Sequence, residues 1–275
     1  VADTVSKADG GTFDGDVTFT NIAGGVVFNE ASADVDFRVE SDANANMLFV
    51  DGGANSVGIG ERTSSFTYPL EVQKADNAYI RIASGTSQEN AGILLSNQNT
   101  LKWTIEKVGA AHDFYIHNAG GDTALKIDQN RTVTLPGQPA FLALVGTAMS
   151  NFAVGTLTNI TYATEVFDQN ADYNNSNYTF TAPVTGKYQF NMTLILTNLD
   201  SASNYYHSRI TTSNRIYHHL IDPDYGQDNA YRNMDVSVLA DMDAGDTAIG
   251  KIFQSNGTQQ TDIDAASSFS GYLVA

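Results

Sequence analysis

The side chains best suited to binding a ligand are concentrated in the segment IDPDYGQDNAYRN, at residues 221–233. Aromatic rings stand there beside carboxylates and amides, which is the combination that a sugar-binding surface needs. A ring stacks against the C–H face of a sugar, and the polar groups bond its hydroxyls. Surface loops are polar in any case, so an ordinary solvated loop is the alternative interpretation. The candidate binding residues are Asp222, Asp224, Tyr225, Gln227, Asp228, Asn229, Tyr231 and Arg232.

Other motifs fall short of a metal or catalytic site. The turn DMDAGD (241–246) lacks the ligand spacing of a calcium loop. His218 and His219 are adjacent, so on a strand at most one of them can join His207 in a single site. The GIG at 58–60 lacks the third glycine of a dinucleotide loop, and there is no G-x-S-x-G elbow and no cysteine. The sequence predicts no enzyme activity, no catalytic residue, no metal and no cofactor.

Charge and hydropathy exclude two classes of partner. The 275 residues include 14 Lys or Arg and 31 Asp or Glu, which gives a net charge of −17. Such an acidic chain is unsuited to nucleic acid or to anionic lipid. The longest apolar stretches, such as LVGTAM (144–149), are far shorter than the roughly 20 residues of a membrane span. We therefore expect neither nucleic-acid binding nor membrane insertion.

Short alternating runs, cut by Gly, Asn and Asp, predict an all-β protein. Among them are AYIRIAS (78–84), KWTIEKV (102–108) and DFYIHN (113–118). An internal repeat is also visible, because Asp36 and Phe37 recur as Asp113 and Phe114, 77 positions later. The segment LFVDGGANSVGIG (48–60) recurs in the same way as LKIDQNRTVTLPG (125–137), with one residue gained or lost between the two copies. Repetition of this kind indicates units that stack on one another.

A stiff junction, LPGQPAF (135–141), separates two regions of different pattern. We predict a β-rich repetitive shaft over residues 1–138 and a separate domain over 139–275. In the second region, strand candidates recur every 8–12 residues, which favours an antiparallel sandwich or jelly roll. These candidates lie near 139–146, 162–168, 178–182, 186–197, 205–211, 214–221, 233–240, 247–254 and 267–274.

Four segments of the second region resemble the C1q-type globular domain, a jelly roll related to tumour necrosis factor. They are PAFLALVG (139–146), TFTAPVTGKYQFNMTL (179–194), VSVLADMDAGDTAIGKIF (236–253) and SSFSGYLVA (267–275). The resemblance implies a homotrimer, with the first and last strands near the threefold axis and aromatic residues in a shared core. The trimer-core candidates that it implies are Phe141, Phe190, Phe269 and Tyr272.

The first region resembles the β-rich shafts of bacteriophage tail fibres. The resemblance rests on GGTFDGDVTF (10–19), NSVGIG (55–60), YPLEV (68–72) and the two repeats. It implies three identical chains joined to the remainder of a tail fibre or to a baseplate, on the outside of a virion. A shaft ending in a globular head implies a distal fibre segment that attaches to a host cell surface through a glycan or an outer-surface protein.

Strand alternation then places the candidate loop at the tip. If the shaft enters at the base of the head, every second connection lies at the far end. The expected tip connections are 147–160, 198–204, 221–232 and 255–266, which adds Asn256, Gln259 and Gln260 to the candidate receptor-binding residues. Three alternatives stay open: a bacterial trimeric fibre adhesin, a polysaccharide-degrading tailspike, and a structural fibre segment whose head is a trimerisation cap.

Overall fold

The computed structural model describes residues 37–39, 47–60, 69–73, 77–85, 88–98 and 100–275. The chain divides into two compact units, residues 1–82 and 83–275. The described residues contain strands and turns but no helix, and therefore no helix that could span a membrane. The predicted all-β class is confirmed. The GGTFDGDVTF segment (10–19) lies outside the described residues.

The first unit contains a small four-stranded sheet in the order β1-β2-β3-β4. Strands β1 to β3 pair antiparallel, and β3 and β4 pair parallel, with Val57 opposite Leu70. The predicted strand at 78–84 is wrong, because residues 77–84 form no strand and Tyr79 is 83% exposed. The alternation there has no neighbouring strand to pair with among the described residues. The strands are β1 (Phe37–Val39), β2 (Leu48–Asp51), β3 (Ser56–Gly60) and β4 (Leu70–Gln73).

The second unit opens with a five-stranded antiparallel meander, β5 to β9 in sequence order. Its last three strands have the pairing pattern of β1, β2 and β3. Phe37 pairs with Val50, and 77 positions later Phe114 pairs with Ile127. The sequence repeat is therefore also a repeat of register. The strands are β5 (Ala91–Asn97), β6 (Thr100–Val108), β7 (Asp113–Asn118), β8 (Thr123–Ile127) and β9 (Val133–Thr134).

The two faces of this meander differ sharply in polarity. One face is polar: His117 lies 2.7 Å from Glu106, and Lys126 forms a 2.9 Å ion pair with Asp113. The opposite face is mostly apolar, with Lys107 and Asn118 as polar members, and directly paired residues of neighbouring strands bring its apolar side chains together. Its apolar members are exposed or half-buried rather than covered. They are Ile93, Leu95, Trp103, Ile105, Phe114, Ile116, Leu125 and Ile127.

Residues 140–273 form an antiparallel sandwich of two sheets. The first sheet has the order β12-β10-β21-β15-β18, with β20 beside β15, and the second has β13-β14-β19-β16-β17, with β11 beside β19. The strands are β10 (Ala140–Leu144), β11 (Thr158–Asn159), β12 (Thr164–Gln169), β13 (Tyr173–Asn174), β14 (Thr179–Thr181), β15 (Gly186–Leu199), β16 (Tyr205–Thr212), β17 (Ile216–Ile221), β18 (Asn229–Met242), β19 (Thr247–Ser255), β20 (Asp262–Ile263) and β21 (Ser268–Leu273).

Aromatic rings fill the space between the two sheets, because every second residue of each strand points inward. Phe269 lies at the centre, 5.1 Å from Phe141, 5.6 Å from Tyr162 and 5.9 Å from Phe190 between ring centroids. Gly271 leaves room for this packing, since a Cβ atom there would lie 2.5 Å from the Phe190 ring. The core is therefore completed within one chain.

This packing corrects the predicted trimer core. Phe141, Phe190 and Phe269 are at most 1% exposed and lie inside the sandwich, so no partner chain can reach them. Tyr272 is different: it is 48% exposed and points outward from the first sheet. Strand parity gives the reason, because residues 269 and 272 are separated by an odd number of positions and project to opposite faces.

Candidate functional site

The two ends of the sandwich have different surroundings. At the junction end, residues that follow β9 bond to the sandwich: the Gln138 amide donates to the Leu273 carbonyl at 2.6 Å. The Gln169 amide donates to the carbonyls of Leu135, at 3.0 Å, and Gln138, at 2.6 Å. Strand β10 runs from here toward the opposite end, which we call the loop end. Four connections meet there: 145–157, 200–204, 222–228 and 256–261.

Asp228 ties three of these connections together. Its carboxylate accepts hydrogen bonds from the Ser201 amide at 2.9 Å and the Ser201 hydroxyl at 2.8 Å. The Gln260 amide donates to its second oxygen at 2.7 Å. These hydrogen bonds hold the pKa of Asp228 below its usual 3.8. The bond from the Ser201 backbone has the largest effect, and the bonds from the Gln260 and Ser201 side chains come next.

The fourth connection is fastened through Asp262. The backbone N–H of Asn151 donates to one carboxylate oxygen of Asp262 at 2.7 Å, and the side-chain amide of Asn198 donates to the other at 3.0 Å. Gln259 closes the group by donating to the Asn151 carbonyl at 2.7 Å. The predicted residues Gln259 and Gln260 are therefore engaged in positioning the loops through their amide nitrogens.

A buried polar group beneath the loops supports them. Asp200 is 3% exposed and accepts bonds from the backbone amides of Ala202, at 2.8 Å, and Thr258. The Tyr206 hydroxyl lies 2.7 Å from the Thr261 hydroxyl and accepts a bond from the Asp200 amide at 3.0 Å. Sequence reasoning missed Asp200, Tyr206 and Thr261, since their contacts span up to 61 residues of chain.

We expect Asp228→Ala to loosen the loop end without unfolding the sandwich. Amide hydrogen exchange at Ser201 should quicken about tenfold or more, the factor that one charge-assisted hydrogen bond supports. The matched control is Asp224→Ala, because among the described residues Asp224 bonds through its backbone amide, which donates to the Asp222 carboxylate at 3.1 Å, and not through its own carboxylate. Equal exchange in the two variants would contradict the role given to Asp228.

The same bond network should make the loop end sensitive to acid. The pKa of Asp228 is lowered by folding, so its contribution is complete above pH 3.8 and is lost as the pH falls through the folded-state value. The protection factor of the Ser201 amide, its intrinsic exchange rate divided by the observed rate at the same pH, should therefore stay high at neutral pH and fall only in the acid range below about pH 4.

The aromatic candidates lie in two places. The Arg232 guanidinium stands 5.6 Å from the centre of the Tyr225 ring, which is 40% exposed. Tyr231 is 72% exposed but adjoins Arg232 on β18, so it projects to the opposite face of the strand. The structure joins Tyr225 with Arg232 and separates both from Tyr231.

The predicted loop at 221–233 is shorter than expected, because β17 ends at Ile221 and β18 already begins at Asn229. Strand β18 pairs with β15 along this stretch, with Tyr231 opposite Thr197 and Asn229 opposite Leu199. The candidate residues that remain in loops and are exposed are Asp222, Asp224, Tyr225, Gln227, Asp228, Asn256 and Gln259.

The acidic turn and the histidines have other uses. Asp246 accepts bonds from the Asp243 amide and the Asn214 side chain, both at 2.8 Å, and Asp241 pairs with Arg215 at 3.0 Å. His219 contacts the Asp235 carbonyl at 3.2 Å. Within the described residues, no group of three or more metal-ligating side chains comes together.

Comparison with known proteins identifies the sandwich. Residues 140–274 match the sequence family described as the C1q domain. This part of the chain is C1q-like. The jelly-roll prediction for it is confirmed. No curated protein sequence matches the chain.

Solved structures similar to the C1q-like domain include two of animal origin. The globular domain of zebrafish complement 1qA protein is 16% identical, over 50% of this chain and 98% of that one, with a TM-score of 0.34. Murine APRIL, crystallised at pH 8.5, is 10% identical over 50% of this chain and 99% of that one, with a TM-score of 0.37. Domains of the C1q/TNF type are generally ligand-binding or structural modules, and they commonly form homotrimers.

Proposed function

We propose that the protein is the distal part of a bacteriophage tail fibre, a homotrimer whose C1q-like domain attaches to a carbohydrate on the host cell surface. The observation that carries the proposal is the loop end, where four connections are held together by carboxylate-centred hydrogen bonds. This end lies opposite the junction with the preceding β-sheet, so its exposed rings and amides are presented outward. The protein would accordingly reside in the virion.

The exposed apolar face of the meander supports the assembly of three chains. The meander β5–β9 exposes Trp103, Ile93 and Leu95 on one face, at 42%, 49% and 47%. A contiguous apolar surface of this kind marks an interaction site. A C1q-like domain that joins three chains would bring three such faces together at high effective concentration. Each copy would then cover the apolar face of its neighbours and complete a shaft.

Three copies also raise the strength of attachment. A single exposed loop end offers few contacts and is suited to weak binding of a sugar. Three loop ends on one head engage a repetitive cell surface together, so that avidity exceeds the affinity of any one site without a new contact. The remainder of the fibre would attach at the shaft and leave the loop end free.

The proposal is tested by binding of the labelled protein to a panel of bacterial strains, with soluble saccharide measured in the same tubes. We expect retention on a narrow set of strains without release of saccharide. Release would favour a polysaccharide-degrading tailspike, and it would overturn the proposal. No retention on a broad panel would favour a structural fibre segment instead.

The ring that we assign to the receptor is Tyr225. Replacing it with Ala removes an aromatic platform and the partner of Arg232, so cell binding should fall about tenfold, consistent with about 1–2 kcal/mol per stacked ring. The control is Tyr79→Ala, another exposed tyrosine, which lies in the first unit. Unchanged cell binding by the Tyr225 variant would contradict the loop assignment. A Tyr231→Ala variant shows whether the second ring contributes.

A further inference from the structure

A row of cationic and amide side chains crosses the outward face of the second sheet. Lys251 of β19 stands directly opposite Arg209 of β16, and Arg209 stands opposite His218 of β17. On the other side of Lys251, Asn159 of β11 occupies the paired position. Directly paired residues project to the same face, so four hydrogen-bond donors lie side by side on four adjacent strands.

The charges of this row are unpaired. Among the described residues, neither Arg209 nor Lys251 has an ion-pair partner, although the whole chain has 31 acidic residues and only 14 basic ones. Like charges directly opposite on neighbouring strands destabilise a sheet. The row holds two of the fourteen basic residues side by side without a counter-charge, and an anionic ligand would relieve their repulsion.

Three consecutive outward residues of β16 also carry shielded polar atoms with no protein partner among the described residues. They are Nε2 of His207, Nε of Arg209 and Oγ1 of Thr211. Burial, with the nearby charges of His218 and Arg209, lowers the pKa of His207. The positive field at the surface favours an anionic ligand, and the unpartnered atoms lie just beneath it, where a change of side-chain rotamer would bring them to the ligand.

Apolar side chains flank the row on the side of the loop end. His207 stands between Phe253 and Leu220 in the sheet, and its ring centre is 4.7 Å from that of His218. The Tyr205 and Phe253 rings lie 5.8 Å apart. Rings beside cations suit a sugar that carries an acidic group, since the C–H face packs on a ring and the acid bonds the donors.

We propose that the row Asn159–Lys251–Arg209–His218 binds the acidic group, a carboxylate, sulfate or phosphate, of a saccharide. Arg209 presents a planar fork of donors to an anionic oxygen pair, Lys251 adds a point charge, and Asn159 contributes an amide. The site is separate from the loop end, so it goes beyond the proposed function and stands or falls independently of it.

The net charge of −17 restricts the ligand further. At physiological salt, charges more than about 8 Å apart are largely screened, so the row attracts an anion at close range. A long polyanion such as nucleic acid would also meet the acidic remainder of the surface. A saccharide with spaced acidic groups presents one charge to the row and neutral sugar to the flanking rings.

The test is calorimetric titration of the full protein at 0.15 M salt with octasaccharides bearing carboxylate, sulfate or phosphate, and with a neutral octasaccharide. The double variant Arg209→Gln with Lys251→Gln should weaken binding of at least one acidic octasaccharide about tenfold or more. It should fold with an unchanged or raised melting temperature, because it removes like-charge repulsion.

The matched control is Lys102→Gln with Lys187→Gln, which removes the same charge from two exposed lysines elsewhere. Its affinity should equal that of the unaltered protein. The inference is overturned if no acidic octasaccharide binds more tightly than the neutral one, or if both double variants weaken binding equally. Equally tight binding of an oligothymidylate, with the same loss in the Arg209 and Lys251 variant, would overturn the choice of a saccharide.

Discussion

Replacing Phe269 with Ala should lower the free energy of unfolding of the C1q-like domain by about 3–5 kcal/mol. The ring is fully buried and lies within 6 Å of the ring centres of Phe141, Tyr162 and Phe190. Its removal loses the transfer free energy of the ring and leaves a cavity that neighbouring aromatic rings cannot fill by small shifts. Urea unfolding at a fixed protomer concentration measures the change.

The control for this prediction is Phe269→Leu. Leucine keeps most of the buried volume, so its cost should be well below that of alanine, about 1.5 kcal/mol or less. A loss below 1 kcal/mol for the alanine variant would contradict the packing of β21 between the two sheets. Equal losses for the two variants would show that the ring does not fill the core as described.

Replacing Tyr272 and Leu239 together with Asp should separate the proposed trimer into single chains at micromolar concentration. Their positions lie in one cross-strand row on the outward face of the first sheet, and the side chains are 48% and 56% exposed in a single chain. Burying an unpaired carboxylate at a subunit contact costs several kcal/mol, and three copies repeat that cost. Size-exclusion chromatography with light scattering measures the outcome.

A control with the same added charge is Leu157→Asp with Val184→Asp. Both residues are exposed, at 37% and 47%, and both lie in connections rather than on this face. That variant should remain assembled. An assembled Tyr272 and Leu239 variant would show that the outward face of the first sheet is not where the chains meet.

Local periodicity accounts for what the sequence predicted well. The strands of the C1q-like domain alternate buried and exposed residues, so their positions followed from the pattern to within a few residues. The repeat was equally readable, and its register is conserved between Phe37–Val50 and Phe114–Ile127. Turn residues and a period of two are local properties, which a single sequence carries.

The errors arose where pairing partners decide the outcome. The resemblance placed Phe141, Phe190 and Phe269 in a trimer core, but the pairing of their strands turns these rings toward the second sheet of the same chain. Tyr231 was placed in the same loop as Tyr225, but it lies on β18. The sequence does not show that β18 begins as early as Asn229, because that start depends on pairing with β15. The row through Arg209 was invisible, since it requires the register of four strands.

The central claim is that three copies of this chain assemble into one fibre segment. Sedimentation equilibrium of the unaltered protein at micromolar concentration tests it most directly. We expect a mass three times the 29.5 kDa of one chain, unchanged on moderate dilution. A mass of one chain would contradict the trimer, and with it the shaft, the avidity of the loop ends and the proposed attachment to a host cell.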